Sequence, residues 1–146
     1  MQHHLILRVV TKLLVGAIIL YALYVQFHGD YSPGGGFQAG VIMAVAFILY
    51  GVVFSLAKVQ QVFPPWLVHK LMALGVLIYA GTGVYSMFVG YNFLDYTAIN
   101  PEHAEKGQET GILLVEFGVG VTVTGVMVAI YYAFAARTPL ISDEEW

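Results

Sequence analysis

Four long apolar runs, joined by short polar segments, account for almost the whole chain. The first is unbroken from Leu13 to Phe27. Counting Leu5 to Lys12 extends it to full bilayer length, because Arg8 and Lys12 can snorkel to the headgroups from the helix end. The second, 37–57, holds no charged residue, and the third, 67–90, opens with His69 and Lys70. The fourth, 111–136, contains one acid, Glu116. Apolar runs above about 18 residues are of membrane-crossing length, since about 20 helical residues span a bilayer. The pattern therefore predicts an all-α integral membrane protein in one domain, residues 1–146. Its four transmembrane helices are expected at 5–27, 37–57, 67–90 and 111–136, with a tail at 137–146.

Basic residues orient these spans. With an even number of crossings, both termini and the turn between the second and third spans share one side. That side holds Arg8, Lys12, Lys58, Lys70 and Arg137, against Lys106 alone on the other. Positive loops stay cytoplasmic, so both termini are expected inside, in the cell inner (plasma) membrane. Trp66, Tyr91, Tyr96, Tyr131 and Tyr132 suit the interfacial belts of the lipid bilayer. The acidic tail 142–145 is expected to be solvated.

Between the first two runs lies His28-Gly29-Asp30-Tyr31-Ser32-Pro33-Gly34-Gly35-Gly36-Phe37. Three glycines beside a proline discourage regular helix and let backbones approach closely. Such a loop turns at the membrane surface or dips inward, and the second requires protein around it. The segment Pro33 to Phe37 reads as a structural break that positions the first two spans. Gly35 is a candidate for positive φ, which a β-branched residue adopts only at a cost. Gly36, Gly40 and Ala44 then repeat every four residues. Similar small-residue stripes run through Gly75, Thr82, Gly83, Ser86 and Gly90, and through Gly111, Gly118, Thr122 and Gly125. In lipid such spacing lets helices pack closely, within one chain or between subunits.

Composition narrows the function class. Hydrophobic residues make up 59% and charged residues 10% of 146, which leaves no room for a separate soluble domain. A net charge of -3 without a basic stripe predicts no nucleic-acid partner. The absence of cysteine excludes disulfides, thiolate metal sites and cysteine nucleophiles. His3-His4 and His103 lack metal-ligand spacing. The glycines at 34–36 lack the preceding strand and following Lys-Ser/Thr of a phosphate loop. No metal, cofactor or nucleophile–base–acid set is assigned, so no enzyme activity is expected of the chain alone.

Glu116 is the principal candidate for chemistry, because an ionisable group in an apolar span costs a few kcal/mol on insertion. Only Gly111 to Val115 precede it in its run, about 7 Å of helix, which places it in the outer half of the membrane. Two readings stand side by side: a proton- or cation-binding carboxylate in a hydrated inlet, or a carboxyl satisfied by neighbouring groups that holds a complex together. Lys12, one turn from Arg8, is either a snorkelling anchor or a partner for an acid of another subunit. His28 and Asp30 flank the glycine loop as a surface pair or as part of a cation entry. Asp95, Glu102, Glu105 and Glu109 surround Lys106, as a solvated loop or an acidic rim that concentrates cations.

Several segments together carry a family resemblance. They are Ile6 to Lys12, Gly29-Asp30 with Pro33-Gly34-Gly35-Gly36-Phe37, Gly40, Gly81-Thr82-Gly83, and Leu114-Val115-Glu116-Phe117-Gly118-Val119-Gly120. With them the chain resembles the MnhB-domain subunits of the Mrp-type multisubunit sodium/proton antiporters, from about Leu5 to Ala136. The resemblance implies a four-span accessory subunit that works only inside a larger membrane assembly, in which proton influx drives sodium efflux. Partners would be other membrane subunits, including large ones that resemble the proton-pumping subunits of respiratory complex I, with Na+ and H+ as the transported ions. Modules of the MnhB type also occur in membrane-bound hydrogenases and related ion-coupled complexes. A module of that kind and a purely structural subunit are the alternative readings.

Overall fold

The computed structural model describes residues 5–29 and 34–137. Asp30, Pro33 and the tail from 138 lie outside the described residues. The chain is all-α, with helices α1 (Leu5–Phe27), α2 (Gly36–Phe54), α3 (Leu56–Val62), α4 (Pro65–Phe88) and α5 (Ala104–Ala135), and a short 3-10 turn at Tyr96–Ile99. All but α3 are long and apolar enough to cross a membrane. The long helices form an open row rather than a closed ring: α2 packs on α1 and α5, α5 packs on α4, and α1 meets α5 only lightly.

Helix ends follow local chemistry. Pro65 sits in the first turn of α4, where its missing N–H costs nothing, and the Pro64 carbonyl accepts from Leu67 and Val68 N–H at 2.9 and 3.2 Å. The second apolar run does not continue to Ala57 as one helix. It breaks at Ser55, whose φ of +117° and ψ of 156° separate α2 from α3. The break lets α3 turn its apolar side inward, with Val59 fully buried and Lys58 and Gln61 exposed. At the other end, α5 starts well before its apolar run. Its first turn carries Glu105, favourably placed at a helix N-terminus.

Two modes of packing hold the row together. At the end carrying both termini, Ala44, Val59, Phe63, Val68, Val128 and Tyr132 form a side-chain core. Phe47 stacks on Phe63 with centroids 4.4 Å apart, and the Tyr132 hydroxyl donates to the Phe63 carbonyl at 2.6 Å. Toward the glycine loop, backbones meet directly. A methyl group on Gly118 would lie 2.8 Å from the Gly75 carbonyl, and one on Gly40 would lie 2.6 Å from that of Gly120. The small-residue stripes of α2, α4 and α5 thus face one another inside the chain, as close helix packing in lipid requires.

Candidate functional site

Glu116 projects from α5 into the glycine loop. A methyl group on Gly29 would lie 2.9 Å from its Oε2, and one on Gly35 would lie 2.9 Å from its Oε1. A methyl group on Gly36 would collide with the Glu116 carbonyl oxygen and lie 2.9 Å from its Cα. The carboxylate is therefore flanked by main chain from both arms of the loop, and the main chain of α5 abuts the first turn of α2. Only residues without a side chain leave this space. Gly35 itself has φ 178°, an extended conformation open to any residue. The expectation of positive φ there is corrected: glycine is required by proximity to the carboxylate rather than by backbone torsion.

The loop end of the α1–α2 pair sits lower than that of its neighbours. Gly118 packs against the Gly75 carbonyl and the Tyr79 amide, which sets Glu116 level with the middle of α4. From Tyr79, α4 continues to Phe88, about 13 Å further at 1.5 Å per residue. The segment 89–103 folds over the tops of α4 and α5. The Asp95 carboxylate accepts from the Thr97 amide at 3.1 Å, Gln108 Nε2 donates to Thr97 Oγ1 at 3.2 Å, and the Tyr96 ring covers Gly111. Burial, then the neighbouring Tyr79, raises the Tyr96 phenol above its ordinary value, so the ring over Gly111 stays uncharged at neutral pH. Glu116, with Gly29 and Gly35 beside it, lies in a recess below the top of this taller pair.

The other sequence candidates divide between the two ends. His28 stands beside the loop, stacked on Tyr24 at 4.3 Å, with its Nδ1–H donating to the Tyr24 carbonyl at 3.1 Å. Gly34 packs against Val25, while Phe37 points away and is exposed. Gly40 lies one turn further along the α2–α5 seam, and its carbonyl accepts from the Thr124 hydroxyl at 3.2 Å. Lys12 is at the opposite end of α1. It and Arg8 lie over the Phe54 ring, 5.8 and 5.2 Å from the centroid. The structure thus brings Glu116, the loop glycines and His28 together and separates Lys12 from them.

Two residues of this region went unread in the sequence, Gln26 and Thr124. Gln26 is buried, and its Oε1 would lie 2.5 Å from a methyl group on Gly120. A lone amide near the end of an otherwise apolar run was the available signal, because polar side chains in such runs usually face protein.

Comparison with known proteins places this architecture. Residues 6–129 match a family model described as a domain related to the MnhB subunit of Na+/H+ antiporter. A Staphylococcus haemolyticus protein named antiporter subunit mnhB2 is 35% identical over 136 residues, covering 92% of this chain and 96% of its own. The protein of that name from Staphylococcus aureus strain Newman is 36% identical over 132 residues, covering 88% and 92%. The resemblance carried by the glycine loop and the Glu116 segment is thus matched over nearly the full length, and the chain belongs to the MnhB family.

Proposed function

We propose that the chain is an accessory membrane subunit of a multisubunit Na+/H+ antiporter, with Glu116 on the ion path through its assembly. The observation that carries the second part is the carboxylate set between Gly29 and Gly35 at the foot of a recess. An acid in that position can take up a proton or a monovalent cation. It is anchored to helix α5, which makes close backbone contact with both α2 and α4. Its partners are the other membrane subunits of the antiporter, the largest being complex I-like. The chain is a transporter component and not an enzyme. We place both termini in the cytoplasm and the complex in the plasma membrane, on the asymmetry of basic residues.

Everted vesicles from cells expressing the whole complex test both parts. Omitting this chain should abolish sodium-dependent proton exchange, and the purified chain in liposomes should show none. Glu116→Gln keeps size and hydrogen-bonding capacity but removes the ionisable group. It should leave complex yield unchanged while exchange slows about a hundredfold or more, the scale of losing one proton-transfer group. An assembled Gln variant with full exchange would reduce Glu116 to a pin between α5 and the loop.

A further inference from the structure

A cavity of about 250 Å³ opens beside the α2–α5 seam, one turn from Glu116 toward the terminal end. Its walls are largely apolar, including Leu23, Met43, Phe47 and Phe117, and its polar side chains are Gln26 and Thr124. Gln26 is only 6% exposed, and its Nε2 is enclosed without a hydrogen-bond partner. An unsatisfied buried donor gives up the hydrogen bonds it would make in water and is destabilising, and nothing in the helix packing requires an amide there. An acyl chain or an apolar side chain of another subunit would fill the space but offer no acceptor. The nitrogen is enclosed in the conformation described, and once the amide turns toward the cavity the smallest group that can partner it is a water.

We propose that Gln26 and Thr124 hold an ordered water in this cavity, forming a hydrated station about 6–12 Å further along α5 than Glu116. The terminal amide torsion of glutamine is soft, so Nε2–H can turn to a water without moving α1. The Thr124 hydroxyl donates to the Gly120 carbonyl at 2.7 Å or the Gly40 carbonyl at 3.2 Å, and its oxygen remains available to accept from that water. A bound water needs two to four such partners, and at about 30 Å³ each the cavity has room for several. The apolar walls confine them to the Gln26–Thr124 side. That separation exceeds direct hydrogen-bond reach, so a proton leaving the Glu116 carboxyl would pass through intervening waters to this one, which then releases another of its protons onward. This role rests on the reading of Glu116 as an ion-path residue.

The chain has no cysteine, so a single introduced cysteine is this subunit's only thiol, and its labelling is read on this subunit's band after the complex is dissociated. A thiolate attacks the sulfur of a methanethiosulfonate reagent, forming a disulfide and expelling methanesulfinate, and thiolates form in water and not in hydrocarbon. With 2-aminoethyl methanethiosulfonate, Met43→Cys in the cavity wall should react at least tenfold faster than Val45→Cys, which lies at the same depth on the exposed face of α2. Ala39→Cys is the substitute if Met43→Cys fails to assemble. Adding Gln26→Leu should slow the cavity thiol several-fold. The Leu variant alone should assemble with undiminished thermal stability yet exchange ions several-fold more slowly, and Gln26→Asn should recover part of that rate. Equal reactivity at 43 and 45, or a cavity thiol indifferent to Gln26→Leu, overturns the water site. Full exchange by the Leu variant overturns its role in transport. If Glu116→Gln exchanges normally while the labelling contrast persists, the water site stands and the ion-path reading of Glu116 falls.

Discussion

Two adjacent glycines make different contacts with the same glutamate, and they should fail differently when substituted. At Gly35 the obstacle is Glu116 Oε1, the free end of a flexible side chain; at Gly36 it is the main chain of α5. A side chain end can swing aside, whereas two helix backbones can only be pushed apart, at about 1–3 kcal/mol for an overpacked site. Gly35→Ala should therefore leave complex yield near normal and alter exchange, read as rate and apparent sodium affinity in vesicles. Gly36→Ala should lower the yield of complex, read by co-purification of the other subunits. The opposite pattern would mean that the loop rather than the seam governs assembly.

Among the elements, the junction of α2 and α3 carries a local cost that a single substitution removes. Ser55 adopts φ +117°, a region L-residues avoid, yet its amide still donates to the Gly51 carbonyl at 3.0 Å and its carbonyl accepts from Val59 at 3.2 Å. Both hydrogen bonds and the burial of Val59 hold the conformation in place. Such strain costs about 1–3 kcal/mol. Ser55→Gly should raise the midpoint of thermal unfolding in detergent, and Ser55→Val should lower it. This break was hidden in the apolar pattern because the run through Phe54 and Ala57 has no proline or glycine at the turning point. The four long helices were legible, since run length and charge spacing decide them. The meeting of Glu116 with the loop was not, because it depends on how α5 docks on α2, a contact between residues far apart in sequence. Its trace was the pairing of two unusual features, a triple glycine and a lone intramembrane acid, with no local rule to join them.

For the whole molecule, orientation is the first quantity to measure. Impermeant thiol labelling of intact cells should reach cysteine at Glu102 and miss cysteine at Lys58; the reverse would invert the chain. The recess then acquires an electrical meaning. Glu116 lies about 13 Å below the top of α4, close to two-fifths of a hydrocarbon core about 30 Å thick. Across a dry recess, a monovalent ion would traverse that share of the membrane potential, worth about 1 kcal/mol per 100 mV against about 2.3 for a full crossing. Filled with water, the recess stays near the potential of the outer solution, and the voltage drop is focused onto the protein beneath the carboxylate. Apparent sodium affinity from that side should then be flat with voltage while the maximal rate is not. A shift of about fivefold per 100 mV in the affinity itself would mark a dry recess. On the proposed ion path through Glu116, a short loop beside two tall helices would decide which step of transport the membrane potential drives.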